Sequence, residues 1–279
     1  MPLTTTTPKR VIFTDLDGTL LDRNTYTFEP AQSALQRIRQ KDIPLVLTSS
    51  KTRAEIEGYR SKLENSHPFI SENGGAVFIP KGYFSFRFPY DRETDHFFVL
   101  ELGVFYPRII DVLASIKKET GISIKGFSDL TEKEISSICG LDLKEAGYAK
   151  KREYDEPFFL EGGEKEVELV KRKIKEKGLT YVWAGRFHHL SGRNDKGKAV
   201  EMLKELYEHQ FFSVRTIGIG DSLNDLSMLL AVERPIFLKE EGSPLPEPLR
   251  SKRNLTLIDG TGPEAWNEAI LHELNELDT

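Results

Sequence analysis

Cysteine is almost absent: Cys139 stands alone among 279 residues, so the chain has no internal disulfide and no thiolate cluster for zinc or iron–sulfur chemistry. That usage suits a reducing compartment, and a cytoplasmic location with a buried, inert thiol is the expectation. Long apolar runs are missing too. None approaches the ~20 residues that span a bilayer, and the run after the threonine-rich start, Met1 to Arg10, is too short for a secretory signal. No membrane association is expected. An excess of positive charge is the third absence: 39 basic residues against 44 acidic ones give a net charge of -5, without the basic stripe that nucleic-acid binding needs. The two most basic stretches, Lys150-Lys151-Arg152 and Lys171 to Lys177, read as solvated surface. No internal repeat is visible, and the threonines near the start are the one low-complexity tract.

What is present is a globular composition, 38% hydrophobic and 30% charged, with chain enough for one large domain or two medium ones. Its most informative stretch is Arg10-Val11-Ile12-Phe13-Thr14-Asp15-Leu16-Asp17-Gly18-Thr19. An apolar run of this kind reads as a strand buried on both faces of a parallel sheet, and its two acids fall at the carboxyl edge, where open α/β sheets bind ligands. Buried carboxylates are costly unless paired or bound to metal. The turn therefore reads as functional. An EF-hand is excluded, because the glycine comes at the fourth loop position and not the sixth.

Further along, Pro30 opens a helical pattern through Ala31, Ala34, Leu35 and Ile38. Ile43 to Leu47 predicts a second strand, Ile56, Tyr59 and Leu63 a second helix, and Phe69-Ile70 a third strand with Ala76 to Ile79 as its hairpin partner. Alternating strands and helices predict a parallel sheet. From about Lys81 to Ser191 the texture becomes aromatic and alternating (Tyr83 to Phe88, Phe97 to Leu102, Phe158 to Leu160, Tyr181 to Trp183, Phe187 to Leu190), with helical patterns at Ile109, Leu113, Ile116 and at Val167, Val170, Ile174. This predicts an inserted α+β domain. The expected division is a core of residues 1–82 and 192–279 around an insertion of 83–191. In the returning segment, Ala199 to Leu206 reads as a helix, Val214 to Ile219 as a strand, Leu226 to Ala231 as a short helix, Pro235 to Leu238 and Leu255 to Ile258 as strands, and Glu264 to Leu274 as the last helix.

Three further stretches carry chemistry. Ser49-Ser50 ends the second strand, where a hydroxyl and free backbone N–H groups at a helix start suit a phosphate. Gly192 to Ala199 nearly matches a nucleotide phosphate loop, but Ala199 replaces the hydroxyl that holds magnesium and no early strand precedes it. One of its lysines instead reads as a point charge on a bound phosphate. Gly220-Asp221-Ser222-Leu223-Asn224-Asp225 follows another apolar strand and lacks the third glycine of a dinucleotide loop. Its grouped oxygen donors suit Mg2+.

These segments, in this order, resemble the haloacid dehalogenase superfamily of aspartate-nucleophile phosphatases: DLDGT, a strand-end hydroxyl, a lysine before KGKAV, and GIGDSLND. The resemblance implies an α/β fold, a Rossmann-like parallel-sheet core with an inserted α+β cap after the third core strand. It also implies an aspartyl-phosphate mechanism. Asp15 becomes the nucleophile and Asp17 the acid and base; Ser49, Lys196 and the Ser50 N–H hold the phosphate. Mg2+ falls to Asp15, the Asp17 carbonyl and Asp221, with Asn224 or Asp225 nearby.

TSSKTRAEIE, REYDEPFFLEG and GRFHHLSGRNDKGKAV narrow the resemblance to members that take the phosphate from a glycosylated phosphoglycerate. The expected partner is thus a small sugar phosphate. Arg186, His188 and Arg193 are the candidates for its carboxylate, and Glu72 or Asn73 for sugar hydroxyls. A shared metal at His188-His189 is disfavoured because neighbours on a strand face opposite ways, and Trp183 reads as core. The alternatives are a phosphatase for another sugar phosphate, a phosphosugar mutase, and, in a different class, a non-catalytic sugar-phosphate binder.

Overall fold

Val11, Ile12 and Phe13 are wholly buried in β1 (Lys9–Thr14), because that strand lies in the middle of the main sheet with helices against both faces. The computed structural model describes residues 8–184, 187–240 and 242–276. After β1 come α1 (Gln32–Gln40), β2 (Leu45–Thr48), α2 (Arg53–Lys62) and β3 (Phe69–Ser71). The hairpin partner β4 (Ala76–Pro80) follows, then β5 (Arg92–Glu93) and β6 (Phe97–Glu101). A second, smaller sheet is built from β7 (Ile124–Gly126), β8 (Asp155–Leu160), β9 (Thr180–Ala184) and β10 (Phe187–Ser191). Its helices are α3 (Tyr106–Thr120), α4 (Glu132–Cys139), α5 (Leu143–Ala149) and α6 (Glu164–Glu176). The chain then returns through α7 (Lys196–Phe211), β11 (Val214–Gly220), α8 (Leu226–Ala231) and β12 (Arg234–Lys239), and ends with α9 (Glu247–Arg250), β13 (Thr256–Asp259) and α10 (Gly262–Glu276).

The main sheet runs β13-β12-β11-β1-β2-β3-β4-β6-β5. Side chains alternate across a strand: Ile12 joins Leu35, Ile56, Trp266 and Ile270 on one face, while Val11 and Phe13 join Val200, Leu203, Tyr207 and Met228 on the other. Both faces are therefore apolar, as a parallel sheet covered by helices requires. β1 pairs in parallel with both β2 and β11, so the chain winds outward one way through β2 and β3 and the other way through β11, β12 and β13. That reversal opens a crevice at the carboxyl ends of β1 and β11.

The insertion differs from expectation at its first boundary. β6 pairs antiparallel with β4, and β5 with β6, so residues to Glu101 extend the main sheet instead of starting the second one at residue 83. Alternation marks a strand but does not say which edge it joins. Tyr83 to Phe88 form no strand: Phe84 packs edge-on to Tyr207 at 5.3 Å and to Phe88 at 5.8 Å, so the rings cover α7.

In the small sheet, ordered β7-β8-β10-β9, Ile109, Leu113 and Ile116 of α3 and Val170 and Ile174 of α6 cover one face. A separate cluster of Phe127, Leu130, Ile135, Ala146 and Ala149 holds α4 and α5. Trp183 is 57% exposed on the edge strand β9, not core as predicted, and Cys139 is half-buried. Among the described residues no helix is long and apolar enough to cross a membrane.

Candidate active site

The crevice gathers the strand-end acids. Trp266 Nε1 donates to Thr14 Oγ1 at 2.9 Å, and the Asp15 N–H donates to Ile219 O at 3.0 Å, which fixes the end of β1 against β11. Gly18 has φ +80°, and a Cβ there would lie 2.6 Å from Asp221 Oδ2. Only glycine lets the loop pass this close to the second acid. Asp15, Asp221 and Asp225 are all buried, each with a carboxylate oxygen within 4.8 Å of the others.

Lys196 crosses this cluster. Its fully buried Nζ donates to Asp15 Oδ1 and Asp225 Oδ1, both at 2.7 Å. Burial alone depresses an ammonium, but here Asp15 and Asp225 outweigh it and the lysine stays charged. Burial first, then Asp225, raise Asp15 well above the ordinary carboxylate range; Asp221 rises for the same two reasons. Asp221 Oδ1 accepts from Thr19 Oγ1 at 3.0 Å, and its Oδ2 accepts from the half-exposed Arg23. Both oxygens of Asp225 are engaged, since Oδ2 accepts from the Asp221 N–H, the Ser222 N–H and Ser222 Oγ.

The lysine is placed by a helix cap and by close packing. Asp195 caps α7 by accepting from the Gly197 and Lys198 N–H groups at 2.8 and 3.2 Å. Gly74, at φ +88°, lies so close that a Cβ would stand 2.3 Å from the Asp195 carbonyl carbon. Lys198 is exposed, so the second lysine of the stretch points out of the crevice.

At the end of β2, Ser49 is fully buried and its Oγ accepts from the Lys51 N–H at 3.2 Å; Ser50 is half-buried. Lys51, which sequence reasoning did not single out, forms a 2.9 Å ion pair with Asp17 and sits 4.8 Å from the Tyr26 ring centroid. Asp17 and Glu55 keep its buried ammonium charged against the cost of burial. Its place directly after Ser49-Ser50 was the available signal.

Several predicted binding residues lie elsewhere. The Glu72 carboxylate accepts from the Glu153 and Tyr154 N–H groups at 2.9 and 2.8 Å and is fully buried, so it clasps the approach to β8 and is closed to a sugar. Burial pushes it up to about 8. Asn73 Oδ1 accepts from Asn224 Nδ2 at 3.3 Å, tying two loops of the crevice together. His188 faces the helix side of the small sheet, stacked on Phe158 and bonded to Tyr181 Oη at 2.6 Å, where burial lowers its pKa. Its neighbour His189 has the opposite face and meets Asp155. Arg193 is exposed, and Arg186 lies outside the described residues.

The donor set fits a hard divalent cation. The cluster offers only oxygen, and three acids crowd one another against two cations, Lys196 and the half-exposed Arg23. Asp15, Asp221 and Asp225 each offer such a cation a carboxylate oxygen.

A buried carboxylate with a lysine on its oxygen thus stands at the switch point of a doubly wound sheet, the place where such sheets bind ligands. The model of haloacid dehalogenase-like hydrolases matches residues 12–100. A glucosyl-3-phosphoglycerate/mannosyl-3-phosphoglycerate phosphatase of Methanococcoides burtonii is 48% identical over 94% of this chain and 96% of its own. The protein of the same description from Persephonella marina is 40% identical over 96% and 98%. A mannosyl-3-phosphoglycerate phosphatase of Pyrococcus furiosus is 39% identical over 80% and 88%. Among solved structures, a Thermoplasma acidophilum protein superposes with a TM-score of 0.66 at 20% identity, covering 97% of this chain and 100% of its own. A superfamily phosphatase of Bacteroides thetaiotaomicron also reaches 0.66, at 16% identity over 100% and 98%. The chain belongs to the haloacid dehalogenase-like hydrolases, and it is a phosphoric monoester hydrolase.

Proposed function

We propose that the protein is a Mg2+-dependent phosphatase that converts mannosyl-3-phosphoglycerate to mannosylglycerate, a small compatible solute, and phosphate. The observation that carries this reading is the buried Asp15 carboxylate held by Lys196 at 2.7 Å beside Asp221. The substrate follows from the relatives' activities, and two of the three named above bear the glucosyl description as well. Glucosyl-3-phosphoglycerate is therefore the second reading.

An oxygen of Asp15 attacks phosphorus in line while the bond to the glycerate oxygen breaks, and Asp17 gives that oxygen its proton. Asp17 then takes a proton from water, which attacks the aspartyl-phosphate; the bond from phosphorus to Asp15 breaks and phosphate leaves. Ser49 Oγ, the Ser50 N–H and Lys196 hold the phosphate oxygens. Asp225 keeps Lys196 and the Asp221 loop in place, and Asn224 steadies the crevice through Asn73. Asp15, the Asp17 carbonyl and Asp221 would hold Mg2+, which would supply positive charge to the phosphoryl oxygens.

The test is phosphate release with Mg2+ from mannosyl- and glucosyl-3-phosphoglycerate, sucrose-6-phosphate and simple hexose phosphates. Preference for the phosphoglycerate esters is expected. Turnover confined to hexose phosphates sinks the substrate assignment, dependence on a bisphosphorylated activator points to a mutase, and binding without release points to a sensor.

A further inference from the structure

The segment before β8 contains a cation that the phosphoryl chemistry leaves unused. Arg152 stands in a stretch that reads as surface, yet its side chain is 8% exposed. Nε donates to Ala149 O at 3.0 Å, and Nη1 donates to Ser50 O at 3.0 Å while lying 3.4 Å from Asp155 Oδ2. Among the described residues nothing accepts from Nη2. Asp155 is 2% exposed, and the same oxygen meets His189 Nδ1 at 2.8 Å, so one buried carboxylate meets both the guanidinium and the imidazole.

The position of this group matters as much as its burial. Ser50 lies between Ser49, assigned above to the phosphate, and Lys51, which holds Asp17 at 2.9 Å. Arg152 thus reaches the loop that brackets the oxygen Asp17 is to protonate. Nη2 is not among the buried unpaired atoms, so this N–H pair can still be offered to an acceptor that enters from solvent. The guanidinium fork matches the two coplanar oxygens of a carboxylate better than it matches a hydroxyl. Burial pushes Glu72 up to about 8, and the Arg152 cation acts against that rise.

We propose that Arg152, oriented by Asp155 with His189 behind it, binds the carboxylate of the leaving group and so selects phosphate esters that carry one. The inference rests on the proposed substrate class. It moves the task from Arg186, His188 and Arg193 to a residue that also joins the small sheet to the β2 loop. Arg152 touches substrate, whereas Asp155 is a positioning residue.

The experiment measures kcat/KM for mannosyl-3-phosphoglycerate and for the matching glycerol ester, in which a hydroxymethyl group replaces the carboxylate. The wild-type protein should prefer the acid. Arg152→Gln should shrink that preference roughly 10- to 100-fold, the range for hydrogen bonds to a charged group. Arg152→Lys, which keeps charge without the fork, should restore part of it, and Asp155→Asn should lower it with Arg152 intact. If Arg152 is only a latch between the two sheets, each variant loses both substrates by the same factor and the ratio stays at the wild-type value; that result overturns the inference. Unequal loss in Asp155→Asn decides the matter should Arg152→Gln not fold. A wild-type protein that cleaves neither ester refutes the substrate class itself, and one that cleaves both equally refutes only the carboxylate subsite.

Discussion

Replacing Lys196 by methionine removes the cation from a cluster of three buried acids while preserving most of its volume. The lysine side chain is 0% exposed, Asp15 is 6% and Asp225 is 0%, so water cannot take over the two 2.7 Å bonds. Breaking a buried pair by removing one partner costs about 3–5 kcal/mol. With an unfolding entropy of about 2.1 cal/mol/K per residue over a chain of this length, that is a fall of roughly 5–9 °C in Tm. The pH dependence has a definite sign. Asp15 has a folded pKa above its unfolded value of 3.8, and Lys196 is the group that pulls it down. A carboxyl raised in this way weighs against the fold increasingly as pH climbs from the unfolded value through the folded one. The deficit of Lys196→Met relative to wild type should therefore be larger near about pH 8 than near about pH 5. Thermal unfolding of both proteins at the two pH values measures it. An equal deficit at both, or none at either, refutes the electrostatic account of the cluster.

Gly74→Ala should lower both stability and turnover, because φ +88° disfavours a side chain and its Cβ would meet the Asp195 backbone at 2.3 Å, displacing the start of α7; unaltered turnover would show that the loop has room to shift. Trp266→Ala, which empties a fully buried site beneath β1 and removes the indole N–H that donates to Thr14 Oγ1, should cost about 3–5 kcal/mol in denaturant unfolding. A loss below about 1 kcal/mol would mean the site collapses. Chelation with EDTA should abolish phosphate release and added Mg2+ should restore it; full activity in EDTA would remove the cation from the proposal.

The main sheet was legible because each of its central strands is an apolar run that ends in polar residues. Asp15, Ser49, Asp221 and Asp225 all fall at such ends or just after them, so a doubly wound topology brings them to one edge, while Lys196 comes from the start of the helix that leads into β11. The remainder was hidden for physical reasons. Periodicity announces a strand without naming its partner, which is how β6 came to be expected in the smaller sheet. Adjacent residues on a strand face opposite ways, so His188 stacks on Phe158 on the helix side while His189 meets Asp155 on the other. A buried charge is written with the same letter as a solvated one: Arg152 looks like its exposed neighbour Lys151 until Ser50 O and Asp155 are seen around it. Glu72 presents the same difficulty, because its partners are two backbone N–H groups some eighty residues away in the chain.

The account turns on Asp15 as the nucleophile. Rapid acid quenching of turnover with radiophosphate-labelled mannosyl-3-phosphoglycerate measures that directly: label should be bound covalently to the wild-type protein at the peptide containing Asp15 and be missing from Asp15→Asn, which releases no phosphate. Release by Asp15→Asn at the wild-type rate, or rapid wild-type turnover with no bound label at any quench time, would contradict it.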